Sequence, residues 1–68
     1  MPLMFRSKIL SERELLARAG EQLRDHGLDA PLRSALKADR CQREGRLDEA
    51  QRWRAISSKV RTLLAETA

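Results

Sequence analysis

The sequence is poor in the residues that build disulfides, metal sites and aromatic clusters. It has one cysteine, one histidine and no tyrosine in 68 residues, and Phe5 and Trp53 are its two aromatic side chains. Cys41 therefore cannot form a disulfide within the chain, and with a single histidine it cannot build a four-ligand zinc site. The sequence also lacks a P-loop, a dinucleotide-binding fingerprint and a nucleophile motif. We predict a protein that is not an enzyme and that uses no cofactor or metal.

Long apolar runs are missing as well. No stretch approaches the roughly 20 apolar residues that are needed to cross a bilayer. The first ten residues have neither the continuous apolar region nor the small-residue cleavage site of an export signal. Together with the unpaired Cys41, these absences lead us to expect a cytoplasmic protein with no membrane partner. The sequence leaves open whether Cys41 has a redox role.

The remaining composition is typical of a helical protein. Ala, Leu, Arg, Glu and Gln dominate, β-branched residues are scarce, and charged residues make up 35% of the chain. A chain of this length forms one domain, and below roughly 70–80 residues a single core rarely supplies more than about 3–5 kcal/mol of net stability. We therefore expect tight helix packing, self-association or both. The net charge of +4 suits an anionic partner, but it also suits an ordinary arginine-rich helix surface.

The first predicted helix is bounded by two strong local signals. It begins at Ser11, because Ser11 and Glu14 have the spacing of a capping box. It ends at Gly27, the expected left-handed residue of a Schellman ending, in which Leu28 contacts Leu23. Both ends of this helix are therefore predicted from short-range chemistry alone.

Two further helices follow. The second begins near Asp29–Pro31, since Asp is a good N-cap and Pro is tolerated in the first helical turn, and it stops at Gly45. The third is capped by Asp48 and continues to about Glu66. The start of each helix is predicted from a capping residue, and the end of the second is predicted from a glycine.

The links between these helices predict the architecture. Because the links at residues 27–29 and 45–47 are short, neighbouring helices should be antiparallel. The predicted fold is all-α, with an extended N-terminal arm over residues 1–10 and a single domain of three short helices over residues 11–67.

Trp53 lies in an apolar stripe of the third helix. An apolar residue every three or four positions marks the buried side of a helix. We expect this stripe to pack against the first two helices, with Trp53 as its anchor. The stripe consists of Ala50, Trp53, Ile56, Ser57, Val60, Leu63 and Leu64. The residues expected to receive it are Leu15, Leu16, Ala19, Leu23, Leu32 and Leu36.

The second helix carries a shorter stripe of Leu32, Ala35 and Leu36, which we expect to be its buried side. Continuing that side leads to Asp39, and a carboxylate that faces a core needs a partner, since an unpaired buried charge is very costly. Asp39 is therefore the predicted polar residue that fixes the register of the helices. Its candidate partners are the indole N–H of Trp53 and the side chains of Arg54 and Arg61. Cys41 lies opposite Leu32 and is expected to be exposed or only partly covered.

The leading functional hypothesis is a small protein–protein interaction module, with self-association as a homodimer as one form of it. The sequence leaves open whether three short helices cover the indole of Trp53 completely, and an uncovered part would be the first place for a partner to bind. The predicted partner-binding residues are Phe5, Ile9, Trp53, Val60 and Leu64.

The alternative is a basic regulator that binds DNA or RNA. Arg33, Lys37 and Arg40 form a ridge at i, i+4 and i+7 on the second helix, and clustered basic side chains can follow phosphates without sequence specificity. Nucleic acid is the less favoured partner, because no exposed aromatic side chain offers a stacking platform.

A ribbon–helix–helix dimer is one version of this alternative. There, residues 1–10 pair with a second copy, Arg6 and Lys8 point to DNA, and Phe5 and Ile9 point inward. This layout leaves the helix that carries Trp53 without a role.

The segments HGLDAPLRSALKAD and GRLDEAQRWRAISSKVRTLL resemble a group of short uncharacterised bacterial proteins found mainly in alphaproteobacteria. These share an HG-x-D-A turn, an A-D pair one helix later and a W-x-x-I stripe. The resemblance covers about residues 11–66, and the chain departs from it at Arg46, where the group more often has Asp. It implies a compact helical protein without an established activity, and it disfavours the ribbon–helix–helix layout. The matching positions are His26, Gly27, Asp29, Ala30, Ala38, Asp39, Gly45, Asp48, Trp53, Ile56, Val60 and Leu63.

Overall fold

The computed structural model describes residues 10–67, and this part of the chain consists of helices and short turns. The elements are α1 (Glu12–His26), a 3-10 helix (Gly27–Asp29), α2 (Ala30–Arg43) and α3 (Leu47–Thr67). The predicted all-α class is confirmed for the described range. Residues 1–9 of the predicted arm lie outside that range, so what was predicted for four of them stays a prediction: Phe5, Arg6, Lys8 and Ile9.

The start of α1 is the one predicted from its capping box. The hydroxyl oxygen of Ser11 accepts the Glu14 backbone N–H at 3.1 Å, and Glu14 Oε1 accepts the Ser11 backbone N–H at 3.2 Å. Two backbone donors that the helix itself cannot satisfy are thus paired. The predicted first residue of α1 is confirmed by this geometry.

The predicted loop between the first two helices is instead a bend. α1 passes into α2 through a single 3-10 turn, so the described chain has one long bent helix and α3, where three separate helices were predicted. Gly27 has φ 57° and ψ −129°, which is not the left-handed helical conformation of a Schellman ending. Leu28 is 85% exposed, so it does not pack on Leu23. The helix resumes at once because Asp29 already has helical dihedrals.

α2 and α3 form an antiparallel hairpin, as the short link predicts. Cys41 lies beside Glu49 near the turn, and Ser57 lies beside Pro31 at the far end. α3 begins at Leu47, so Asp48 is inside the first turn of the helix and is not its N-cap, contrary to the prediction. An acidic residue in the first turn still has a favourable interaction with the helix dipole.

Arg46 connects the turn to α3. Its guanidinium pairs with Glu44 at 2.6 Å and with Glu49 at 3.0 Å. The hydrogen bond to Glu44, with the negative charge of Glu49, raises the pKa of Arg46 above its usual value. The Arg46 backbone N–H also donates to the Cys41 carbonyl at 2.8 Å. The turn is therefore closed by the backbone and by exposed ion pairs.

Both arms of the bent helix pack against α3, and the core lies where the three meet. Ala19 of α1, Ala30 of α2, and Ile56 and Val60 of α3 form its centre. The partly buried apolar side chains around it are Leu10, Leu15, Leu23, Trp53, Leu63 and Leu64. The predicted apolar side of α3 is confirmed, since its residues are buried or half-buried.

Candidate interaction surface

α2 turns its small side chains, and not its leucines, towards the rest of the protein. Four residues at helical spacing are buried: Ala30, Ser34, Ala38 and Cys41. Small side chains let two helix axes approach closely, and the larger apolar residues of α1 and α3 fill the space opposite them. The buried side of α2 is thus set by size complementarity.

Two hydrogen bonds in this interface fix the rotation of α2 about its axis. The Ser34 hydroxyl donates to Oε1 of Gln22 at 3.4 Å, and the Ser57 hydroxyl donates to the carbonyl oxygen of Pro31 at 3.2 Å. Ser34, Gln22 and Ser57 are all buried. Rotating α2 to bury its leucines would break both bonds and leave buried polar groups unpaired.

The predicted buried side of the second helix is therefore wrong. Leu32 is 60% exposed and Leu36 is 55% exposed, and Leu28 in the 3-10 turn before α2 is 85% exposed. Single exposed leucines are common on protein surfaces. Leu32 and Leu36 are four residues apart and therefore share one side of α2, and Leu28 precedes them at the same spacing. We call Leu28, Leu32 and Leu36 the leucine face.

The predicted burial of Asp39 and the predicted exposure of Cys41 are wrong for the same reason. The Asp39 side chain is 59% exposed and pairs with Arg43 of its own helix at 2.6 Å, so it is not the buried register residue that was predicted. That role belongs to Ser34 and Ser57. Cys41 was expected to be exposed or only partly covered, but it is 4% exposed, and its thiol donates to Oε1 of Glu49 at 3.8 Å. Both errors have the same cause, because the side of α2 that was predicted to be buried is the exposed one.

A groove of about 400 Å³ runs between α2 and α3 next to the leucine face. We call it the arginine groove, because two arginines of α3 line one wall. The small side chains of Ala38 and Ser57 reach it from the helix interface. Its lining residues are Ala35, Ala38, Asp39, Arg54, Ser57, Ser58 and Arg61.

The arginine groove carries a net positive charge. Arg54 and Arg61 are exposed, and neither forms an ion pair with any residue in the range 10–67. The one carboxylate of the groove, on Asp39, is already paired with Arg43. The sequence predicted that Asp39, Arg54 and Arg61 lie near one another, and the groove brings them together, although at the surface and without a direct bond.

α1 covers the other side of the hairpin. Leu15 of α1 lies against Lys59 and Thr62 of α3, and Lys59 pairs with Glu12. No residue of α1 lines the groove that carries Arg54 and Arg61, although Ser58 of α3 lines both that groove and the cavity beside Leu15. Within residues 10–67 no helix covers the arginine groove.

The predicted partner-binding residues of α3 are less accessible than the leucine face. Val60 is fully buried, and Trp53 and Leu64 are half-buried against the core. Val60 therefore packs within its own chain and presents nothing to a partner. Trp53 is further covered by Lys37, whose Nζ lies 4.8 Å from the ring centroid, a cation–π distance.

The basic ridge of α2 is exposed as predicted. Arg33, Lys37 and Arg40 all point to solvent, and Lys37 leans over Trp53. Arg33 and Arg40 make no ion pair inside the described range. Neither guanidinium is therefore held by an ion pair with another residue of that range.

A second cavity of about 290 Å³ lies on the α1 side of α3. It is next to Arg52, whose Nε is buried without a hydrogen-bond partner. Its lining includes Leu10, the first described residue, so the chain that precedes it joins at this point. The lining residues are Leu10, Arg18, Glu49, Arg52, Trp53 and Ile56.

Residues 10–67 contain no group of three or more His, Cys, Asp or Glu side chains placed to hold a metal ion. None of the helices in that range is both long and apolar enough to cross a membrane.

No protein-family model, curated protein or solved structure matches this chain. The resemblance to the alphaproteobacterial group therefore stays a prediction.

Proposed function

We propose that this protein is a non-enzymatic protein–protein interaction module and that its partner docks on the leucine face. The observation that carries the proposal is the distribution of large apolar side chains. Ile56 and Val60 are the largest apolar residues of the described chain that are fully buried, whereas five leucines are exposed. Leu16, which was predicted to be buried, and Leu47 are exposed singly, and the other three follow one another along the 3-10 turn and α2: Leu28, Leu32 and Leu36. A surface of this kind is typical of a binding site.

The size of the leucine face indicates that the partner must also use neighbouring residues. Burying a leucine side chain completely contributes about 1.5–3 kcal/mol. Three leucines that are partly exposed therefore contribute about 5 kcal/mol, and the loss of translational and rotational freedom on association costs at least about 4 kcal/mol. A stable complex on the leucine face thus needs further contacts beside it.

Site-specific photocrosslinking in the native cell tests this proposal. A benzophenone amino acid is placed at Leu32 or at Leu36 and, as a matched control, at the exposed Glu21 of α1. We expect a defined protein adduct from the two positions of the leucine face and none from the control. The same smear at all three positions, or no protein adduct at Leu32 and Leu36, would contradict the proposal.

Self-association is the simplest form of such an interaction, and a chain of 68 residues with a small core is a candidate for it. Sedimentation of the wild type against Leu32→Glu separates this form from binding to a different protein. The free Cys41 is consistent with a cytoplasmic location, which we keep as part of the proposal.

Nucleic-acid binding is the second candidate, and the exposed ridge of Arg33, Lys37 and Arg40 favours it. Binding through phosphates should weaken steeply as the salt concentration rises. Arg33→Glu with Arg40→Glu should then abolish binding to DNA or RNA. Absence of binding at low salt would remove this candidate.

A further inference from the structure

The leucine face and the arginine groove adjoin, and together they form a surface of mixed chemistry. Leu32 and Ala35 are three residues apart on α2, so they are neighbours on its surface, and Ala35 belongs to the wall of the groove. The opposite wall carries Arg54 and Arg61 of α3. One edge of the combined surface is apolar, and the other is cationic.

The two arginines have a defined spacing. Arg54 and Arg61 are seven residues apart, which is about two helical turns or 10 Å along the axis of α3. Both are without an ion pair in the described chain, and the nearby Asp39 is engaged by Arg43. This spacing is complementary to two carboxylates that are also two turns apart on another helix.

We propose that the occupant of this surface is an amphipathic acidic helix of a partner protein. The inference rests on the proposed interaction function and specifies the chemistry of its partner. Apolar side chains of that helix cover Leu32 and Leu36, and two Asp or Glu side chains seven residues apart pair with Arg54 and Arg61. The helix lies on the side of the α2–α3 hairpin that faces away from α1, and it completes a four-helix arrangement.

Two other occupants fit the same surface less well. A second copy of the chain would bring its own Arg54 and Arg61 beside the same leucines, so four guanidinium groups would approach one another. Nucleic acid would leave Leu32 and Leu36 exposed, since its phosphates pair with the arginines but do not cover apolar side chains. Only an acidic amphipathic helix satisfies the apolar edge and the cationic edge together.

The test uses the whole chain and three labelled 16-residue helical peptides. Each peptide has leucines along one side, and two positions seven residues apart carry Glu, Gln or Lys. Binding is measured by fluorescence anisotropy for the wild type and for Arg54→Glu with Arg61→Glu. The matched control is Arg33→Glu with Arg40→Glu, which makes the same change of charge on the other flank of α2. Circular dichroism verifies that all variants remain helical.

We expect the wild type to bind the Glu peptide about fivefold more tightly than the Gln peptide, since two exposed ion pairs are each worth a small factor. The groove variant should lose that preference and bind the Lys peptide instead, and the ridge control should behave like the wild type. Raising the salt concentration should reduce the preference for the Glu peptide.

Each of the other outcomes overturns the inference. Equal affinity for the Glu and Gln peptides, binding unchanged in the groove variant, or no binding to any peptide excludes an acidic helix. A dimer that Leu32→Glu dissociates assigns the surface to a second copy. An oligonucleotide that competes with the Glu peptide for the wild type assigns it to nucleic acid. Failure of the interaction function itself is distinct, because it appears as the absence of protein adducts at Leu32 and Leu36.

Discussion

The Ser34 hydroxyl of α2 donates to the side-chain oxygen of Gln22 in α1 at 3.4 Å, and both residues are buried. This bond spans the bend at residues 27–29 and joins the two arms of the long helix. With the Ser57–Pro31 bond it sets which side of α2 faces inward. The position of the leucine face is thus a consequence of polar contacts on the opposite side of the same helix.

Removing the Ser34 hydroxyl should destabilise the protein. Ser34→Ala leaves the buried side-chain amide of Gln22 without its partner, which costs about 1–2 kcal/mol. Denaturant unfolding followed by circular dichroism measures the loss. Ser58→Ala is the matched control, since Ser58 is an exposed helical serine, and it should change stability by less than about 0.5 kcal/mol. Equal effects of the two substitutions would show that the Ser34–Gln22 bond contributes nothing.

The two glycines of the bent helix should respond to alanine in opposite directions. Gly27→Ala forces an L side chain into a backbone with φ 57°, which costs about 1–2 kcal/mol. Gly20→Ala, in the middle of α1, should stabilise the protein by about 0.5–1 kcal/mol because alanine has the higher helix propensity. No atom lies within 4 Å of a Cβ built at either glycine, so neither change is affected by a steric clash. Thermal unfolding of both variants shows whether each substitution stabilises or destabilises the protein. A stabilising Gly27→Ala would contradict the described bend.

The start of α1 and the inward side of α3 could be predicted because a single local signal governs each of them. The Ser11–Glu14 capping box lies within one turn. The stripe through Trp53 is the one periodic apolar row of its helix, so no second side competes with it for burial. α2 differs, since it has two periodic sets of residues. One row along the helix consists of leucines, and another row, on a different side, consists of small residues. Hydrophobicity alone favours the leucines, so the wrong row of α2 was predicted to be buried.

The second row was visible in the sequence as Ala30, Ser34, Ala38 and Cys41. What decides between the rows is close packing against α3 and the pairing of Ser34 and Ser57, and both are properties of the assembled fold. The bend at Gly27 was missed for a related reason. A glycine followed by Asp is compatible with a loop or with a 3-10 turn, and only the packing of both arms on α3 selects the turn.

Cys41 should react slowly with a thiol reagent in the folded protein. Its side chain is buried beside Glu49, so the reagent reaches it only when the protein opens locally. Labelling with a disulfide reagent, followed by absorbance, should be at least about tenfold slower in buffer than in denaturant. The control is Cys41→Ala with Ser58→Cys, which moves the thiol to an exposed position and should label at a similar rate in both conditions. Fast labelling of native Cys41 would show that the side of α2 that carries Cys41 is exposed to solvent, contrary to the structure.

Truncating the leucine face should cost less stability than a smaller truncation in the core. Leu32→Ala removes three carbon atoms from a side chain that is 60% exposed, and alanine favours the helix, so we expect a change below about 0.5 kcal/mol. Ile56→Val removes a single methyl group from a side chain that is 1% exposed, and it should cost about 1 kcal/mol. Urea unfolding at low protein concentration compares them. A larger loss for Leu32→Ala would mean that the leucine is buried in solution, either by rotation of α2 or by a second copy. Repeating the measurement at higher protein concentration separates these two causes, because only a second copy makes the cost of Leu32→Ala depend on concentration.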